Sequence, residues 1–321
     1  LQDYNCRKLV EMLTESVKRN YADALLLSGG LDSSILASIL RPEYTVAAGF
    51  GPDAPDFGYA RKVAARYSKR HVELVIGQEK LLDIVENVIR LFRTFDPIEI
   101  RNSSVAFAAI EKAKQDGYRS IMTGDGGDEL FAGYNFLQRY YDDLQALQTQ
   151  LQRLWDVMHF SSAKIGAQLG VDIRTPFLDR SFAEFAKSLS PEVKVGSHLG
   201  ERWGKFILRG CFEQKVGSEI AWRRKLAQEQ GAATDRLQDL IGLAMSGSEF
   251  QAGSASAAKS GVRIRSKEHL YYFEIYRRYF PPPKEDGSCK LRCPDCGGCF
   301  ESQGRFCRVC GAFPVTPVKS W

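Results

Sequence analysis

Ala24-Leu25-Leu26-Leu27 runs directly into Ser28-Gly29-Gly30-Leu31-Asp32-Ser33-Ser34, and Ile35 to Leu40 continues as an apolar, helix-forming stretch. A buried strand, a glycine-rich turn and a helix in this order build an anion site. Glycine lacks the Cβ that bars a tight turn, so successive N–H groups can face a phosphate. The start of the helix adds its dipole, and the hydroxyls of Ser28, Ser33 and Ser34 add donors. Asp32 is the odd member, because a carboxylate beside phosphates repels them. It makes sense with Mg²⁺ in between, since that ion commonly bridges carboxylates and phosphate oxygens. A Walker-type loop would place Lys before Ser or Thr, and none stands here. The plain alternative is a serine-rich turn that merely caps a helix; the complete stretch, following an apolar strand, argues against it.

Outward from this turn, strand and helix patterns alternate. Leu9, Val10, Leu13 and Val17 give residues 5–19 a helical spacing. Val46–Phe50, His71–Ile76 and Ser120–Thr123 read as further strands, with helices over 57–69, 79–92 and 103–116. A second Gly/Asp-rich turn spans Gly124–Gly133. This alternation predicts an α/β fold with a parallel sheet covered by helices. From Phe136 to about Ala244 the pattern is mostly helical, residues 246–261 read as a small, polar, mobile loop, and Lys267–Tyr279 reads as an aromatic-rich helix. Pro281-Pro282-Pro283 then starts a stiff linker, which should leave the tail as a separate knob.

Composition narrows the class. The chain has 321 residues, a net charge of +5 and eight cysteines. Its apolar runs are too short to span a bilayer, no secretory leader pattern opens it, and the mild charge does not by itself argue for a polyanionic partner. A cytoplasmic enzyme is expected. Cys6 and Cys211 are scattered, whereas the other six cysteines crowd the tail. Such clustering reads as metal ligation rather than a disulfide framework.

The motifs together carry a family resemblance. Ser28–Ser34 looks like the PP-motif of the N-type ATP pyrophosphatases (PP-loop proteins), in the form found in asparagine synthetase and β-lactam synthetase. Val46–Phe50 with Pro55-Asp56 resembles the family's adenine-side strand and loop. Gly124-Asp125-Gly126-Gly127-Asp128-Glu129-Leu130-Phe131-Ala132-Gly133-Tyr134 matches its second signature. Val171–Asp179 resembles its ExRxPFLD segment with Asp172 in place of Glu, Lys205–Arg209 its KxxLR segment, Trp222–Lys225 with Gly231 a later stretch, and Ser266–Phe280 its final helix. The resemblance covers about residues 5–281 and implies an adenine-nucleotide alpha-hydrolase-like sheet with a helical second half.

It further implies a ligase that adenylates a carboxylate with ATP, releases pyrophosphate, and lets ammonia or an amine displace AMP. By position, Leu27, Ser28, Gly29, Gly30, Asp32, Ser33, Ser34, Phe50, Gly124 and Gly126 would bind ATP. Asp32 and Asp128 would hold Mg²⁺, Lys205 would neutralise developing negative charge, and Asp125 would help deprotonate the incoming nitrogen. Blander roles are also open: Asp128 and Glu129 as helix caps, Lys205 as a surface lysine, Arg174 and Asp179 as a structural ion pair. His159 and His198 show no recognisable spacing.

Two departures stand out. Cys6 is not terminal and lies on an expected helix, so it would not serve as a glutaminase nucleophile. On this reading nitrogen comes from free ammonia, an amine or a separate glutaminase. Ala163 stands before Lys164 where the family commonly has Asp, which puts aspartate in doubt as the substrate.

Beyond residue 281, Cys293-Pro294-Asp295-Cys296 and Cys307-Arg308-Val309-Cys310 form two CxxC pairs. Four thiolates at this spacing suit tetrahedral Zn²⁺ in a zinc ribbon over 282–321, with Cys289 and Cys299 left as possible substitutes. A site closed by four thiolates points to a structural metal; RNA or a carrier protein are conceivable partners for the ribbon. The competing function is a PP-loop tRNA-modifying enzyme that adenylates a base carbonyl.

Overall fold

The structure, a computed structural model, describes residues 2–285, 287, 289–300 and 305–319. α1 (Gln2–Arg19) leads into β1 (Ala24–Leu26), α2 (Leu31–Leu40), β2 (Tyr44–Phe50), α3 (Pro55–Tyr67) and β3 (Arg70–Ile76). Helices α4 (Gln78–Phe92) and α5 (Pro97–Gln115) precede β4 (Ser120–Met122) and the one-turn α6 (Gly127–Leu130). α7 (Leu144–Val157), α8 (Ser161–Leu169), β5 (Asp172–Arg174), α9 (Arg180–Ser188) and α10 (Pro191–Lys194) follow. A hairpin, β6 (Gly196–His198) and β7 (Glu201–Trp203), enters α11 (Phe206–Val216) and α12 (Ser218–Ala221). The remaining helices are α13 (Gln228–Gly231), α14 (Leu237–Ala244), α15 (Gly247–Lys259) and α16 (Lys267–Tyr279); β8 (Leu291–Arg292) and β9 (Val318–Lys319) pair in the tail.

Five strands form one parallel sheet in the order β3-β2-β1-β4-β5, which is the α/β arrangement expected for an adenine-nucleotide alpha-hydrolase-like fold. Leu25 pairs with Thr45 on one side and Met122 on the other. The chain therefore winds outward through β2 and β3, then returns to the far side of β1 with β4. That reversal leaves a crevice outside the carboxyl ends of β1 and β4, where ligands bind in open α/β sheets. The loops there are Leu27–Gly30 and Thr123–Gly126. β2 is buried along nearly its whole length, as a strand covered on both faces must be.

Two compact units divide the chain: Leu1–Gly49, Asp53–Leu74 and Ala109–Ala227 in the first; Phe50–Pro52, Val75–Ala108 and Gln228–Trp321 in the second. The first has Leu25, Ile35, Val46, Ile121, Phe131, Phe177 and Phe212 in its core. In the second, α4 buries Leu81, Ile84, Val85, Val88 and Ile89, a one-sided helical stripe, and packs on α16.

Several expectations change. α2 starts at Leu31, so Asp32, Ser33 and Ser34 form its first turn rather than lying in the preceding loop. A fifth strand, β5, lies inside the segment read as mostly helical; three residues are too few to show a period. Residues 247–259 form α15 instead of a mobile loop. Ser246 and Glu249 close a capping box at its start, and runs of Ala and Ser tolerate a helix once its first N–H groups are satisfied. The tail does not stand apart as a knob: it packs into the second unit through both cysteine pairs. Among the described residues no helix is long and apolar enough to cross a membrane.

Candidate active site and metal centre

Gly29 takes a left-handed φ of 69°, and a Cβ there would meet the backbone of Tyr59 and Ala60 at 2.5 and 2.4 Å. Glycine thus lets the β1–α2 turn lie on α3. Gly30 then N-caps α2 in an extended conformation with no side-chain cap, so the first N–H groups of the helix need partners from elsewhere. Ser34 Oγ donates to the Gly30 carbonyl at 2.7 Å, and the Ser28 and Ser33 hydroxyls lie 3.3 Å apart. Leu27 N–H bonds Val46 O and Phe50 N–H bonds Ala232 O, so neither of these amides is left to donate to a base.

Asp32 and Asp128, 96 positions apart in sequence, meet on one lysine. Lys205 Nζ lies 2.5 Å from Asp32 Oδ2 and 2.8 Å from Asp128 Oδ1. Lys225 Nζ approaches Asp128 Oδ2 at 2.6 Å. The glycines of the second signature make room: a Cβ on Gly127 would stand 2.7 Å from Asp32 Oδ1, and one on Gly133 2.1 Å from Asp128 Oδ1. Gly124 approaches Asp32 Cβ and the Ser33 amide, while Gly126, at φ 98°, turns the chain against Leu178. Asp128 lies within α6, and Gly126 caps that helix without a side-chain bond; a capping role for Asp128 is thus replaced by the lysine pair. Lys205 is no surface lysine, with only 4% of its side chain exposed.

Electrostatics separates the two carboxylates. Burial alone would raise the Asp128 carboxyl, but the Lys205 and Lys225 ammonium groups overcome it and hold it well below the ordinary range. Asp32 has one lysine; burial, reinforced by the Asp128 charge, pushes it up. Lys205 is held above its usual value, because Asp128 and Asp32 outweigh its burial. Asp32 Oδ1 is buried with no hydrogen-bond partner, which is costly unless something completes it. An oxygen-rich pair with an orphaned carboxylate oxygen beside a phosphate-type loop fits Mg²⁺.

Asp125 is not joined to the lysines. Its Oδ2 accepts from Thr123 Oγ1 at 2.9 Å and from the Ser162 hydroxyl, and burial raises its carboxyl. Arg174 and Asp179 do not pair with each other: Arg174 reaches Asp172 at 2.5 Å, and Asp179 reaches Arg19 at 2.7 Å while capping α9. His198 stacks on Trp222 with ring centroids 3.6 Å apart.

Two contributors were missing from the expected site. Lys225 ends the Trp222–Lys225 stretch, and no spacing relates it to Asp128. Arg209 is buried, and its guanidinium donates to Gly204 O (2.8 Å), Ala221 O (2.5 Å) and Arg223 O (3.2 Å). It thereby ties the residue before Lys205 to the segment leading into Lys225. Lys205 itself has a left-handed φ of 54°, an unfavourable conformation for a side-chain-bearing residue, and its amide donates to Phe131 O at 2.7 Å.

In the tail, the Cys293, Cys296, Cys307 and Cys310 sulfurs all lie within 4.8 Å of one another and are buried. Cys293–Cys310 and Cys296–Cys307 are 3.8 and 3.7 Å apart. Tetrahedral zinc with Zn–S of about 2.3 Å requires sulfurs about 3.8 Å apart, so the set fits Zn²⁺. The two pairs share one backbone design. Cys293 O accepts from Gly297 N and Cys307 O from Gly311 N, each at 2.8 Å, and both glycines are left-handed. Cys289 and Cys299 are disulfide-bonded to each other, so neither joins the four; the scattered Cys6 and Cys211 also pair, linking α1 to α11.

This fold and site define an α/β domain of the adenine-nucleotide alpha-hydrolase-like type, with paired carboxylates beside a glycine-rich β–α turn. The family description "Asparagine synthase" matches residues 8–163 and 141–271, and the chain belongs to that family. It is 28% identical to asparagine synthetase B [glutamine-hydrolyzing] of Escherichia coli strain K12, over 86% of this chain and 54% of that protein. It is 30% identical to the asparagine synthetases [glutamine-hydrolyzing] of Gallus gallus and Homo sapiens, each over 80% of this chain and 48% of theirs. The chain spans about half the length of the curated relatives it matches.

Proposed function

We propose that this chain is an ATP-dependent, AMP-forming ligase that adenylates a carboxylate and joins it to ammonia or an amine. The observation that carries the reading is the meeting of Asp32, Lys205, Asp128 and Lys225 at the end of a glycine-rich β–α turn, in a chain of the asparagine synthase family. That membership favours a carboxylate over the base carbonyl of a tRNA-modifying relative.

The α2 N-terminus with Ser28, Gly29, Gly30, Ser33 and Ser34 would bind the phosphates, with Leu27, Gly124 and Gly126 framing the nucleotide. Asp32 and Asp128 would hold Mg²⁺, which supplies charge neutralisation at the phosphates. A substrate carboxylate oxygen attacks the α-phosphorus, the bond to the bridging oxygen breaks, and pyrophosphate leaves. Lys205 and Lys225 offset the negative charge that develops there. Nitrogen then attacks the activated carbonyl carbon, AMP leaves with the C–O bonding electrons, and the nitrogen sheds a proton. Asp125, raised by burial, suits acceptance of that proton. Residues 1–281 would form the synthetase-like domain and 282–321 a ribbon holding one Zn²⁺ on Cys293, Cys296, Cys307 and Cys310.

The test is product analysis with ATP, Mg²⁺, ammonia and a panel of carboxylates. AMP and pyrophosphate are expected; ADP and phosphate would overturn the assignment.

A further inference from the structure

Resting on the zinc reading above, we infer that the four-cysteine centre is an internal clamp of the second unit, with Arg265 as its charge-compensating partner. Both cysteine pairs spend their backbone on the body of that unit. From the α4–α5 connection, Thr94 Oγ1 donates to Arg308 O at 2.7 Å and Val309 O at 3.1 Å, and Phe95 N donates to Val309 O at 2.8 Å. Arg308 and Val309 are the two residues between Cys307 and Cys310. From the α15–α16 connection, Arg263 N donates to Asp295 O at 2.7 Å, between Cys293 and Cys296. Each pair is thus held by a different segment, far away in sequence.

Glycine fixes the close approach on one side. A Cβ on Gly311, directly after Cys310, would stand 2.2 Å from Asp96 Oδ1. Asp96 in turn caps α5, its Oδ1 accepting from Ile98 N at 3.1 Å. The ring of Phe95 is fully buried against His269, Phe273 and Tyr276 of α16. The second cysteine pair, the turn 94–96 and α16 therefore form one packed block.

Arg265 spans both pairs. Its Nη1 lies 3.9 Å from Cys310 Sγ and 3.5 Å from Asp295 Oδ2, and its Nη2 donates to Cys310 O. Zinc with four thiolates is a net dianion, and burying it favours cationic and N–H neighbours. Gly298 N, 3.4 Å from Cys296 Sγ, supplies one such donor within the ribbon; Arg265 supplies full positive charge from outside it. It also adjoins Ser266, the N-cap of α16, so a change at the metal is transmitted to the start of that helix. Partners of metal ligands typically contribute 10- to 100-fold in metal affinity.

The experiment uses the full chain. Metal analysis comes first: a folded preparation without zinc would defeat the underlying zinc reading, separately from the clamp. With zinc bound, hydrogen exchange is compared before and after removal by a chelator. Faster exchange at 94–100 and 263–270, with α2 unchanged, is expected; unchanged exchange at those two segments would overturn the clamp. Arg265→Met should weaken zinc about 10- to 100-fold in competition with a chelating dye, and wild-type affinity would remove Arg265 from the scheme. If chelation unfolds the whole chain, Thr94→Val supplies the reading: it deletes a donor outside the tail, zinc should leave it faster, and an unchanged release rate would overturn the clamp.

Discussion

The charged cluster in the first unit and the thiol cluster in the second each gather four side chains, yet they are finished to different degrees. In the charged cluster, two carboxylates share two lysines unequally, and Asp32 Oδ1 is left without a partner. The adjacent helix start has no side-chain cap. A ligand with phosphates and a divalent cation would supply what is missing. The thiol cluster leaves no open position once a metal sits among its four sulfurs. Its surrounding carbonyls bind other segments of its own unit. An incomplete set of donors is what chemistry on a substrate requires, whereas a complete set is what holding a fold together requires.

Exchanging one group in each cluster should separate the two most clearly. Asp32→Asn removes a carboxylate whose second oxygen makes no bond in the protein, while Lys205 keeps Asp128. Pyrophosphate release should fall at least about 100-fold, the scale of losing one electrostatic contact to developing charge, and the melting temperature should hardly move. Cys307→Ser should do the reverse: zinc is lost, thermal stability drops by several degrees, and ATP affinity persists. If both variants damaged the same property, the two clusters would not have the separate roles assigned to them.

A smaller effect tests how the charged cluster is assembled. Arg209→Lys keeps the charge but cannot form the fork that reaches Gly204, Ala221 and Arg223 together. The two site lysines would lose their shared anchor. Turnover should fall roughly 10-fold, the penalty for a modest misplacement of charged groups, with little change in nucleotide affinity. A variant that melts earlier but turns over normally would reduce Arg209 to a packing residue.

The two clusters also differed in how far the sequence disclosed them. All four thiols fall between positions 293 and 310, where spacing alone predicts a tetrahedral set. What they dock against was not legible, because Thr94, Phe95 and Arg263 reach backbone carbonyls, and carbonyls carry no residue identity. The charged cluster draws on positions from 32 to 225. Its glycine-rich turns announced Asp32 and Asp128, and the family resemblance supplied Lys205. Lys225 and Arg209 needed the fold, since no periodicity links them to either turn. The same limit explains β5: a three-residue strand acquires its identity from β4 beside it rather than from its own sequence. α15 was hidden for a different reason. Its small polar composition suggests a loop, and the capping box that fixes it involves only Ser246 and Glu249.

The smallest expected effect is the response of the first unit to mild acid, and it follows from two shifts of opposite sign. The Asp128 carboxyl is lowered in the folded chain by its two lysines. Its contribution to stability is present above the unfolded value of about 3.9 and is lost only as pH falls through the lowered folded value. The Asp32 carboxyl is raised by burial. A raised folded value means that the folded state binds the proton more readily, so stability from this group increases as pH falls through it. Lys205, raised by its carboxylates, contributes stability below the unfolded value of about 10.4, which is lost only at alkaline pH. From pH 7 to pH 5 neither the lowered Asp128 carboxyl nor the raised Lys205 ammonium changes its protonation, and the raised Asp32 carboxyl can only add stability, so this cluster should not loosen the unit. Across the same range protons compete with zinc for four thiolates, and metal should be released steeply. Zinc content and segment-resolved hydrogen exchange, measured at half-unit steps of pH, separate the two responses. Exchange rates in α2 and β1, corrected for the intrinsic effect of pH, should stay flat while 94–100 becomes unprotected. Early loss of protection in α2, with zinc still fully bound, would mean that the carboxylate–lysine cluster, not the thiolate cluster, is the acid-labile one.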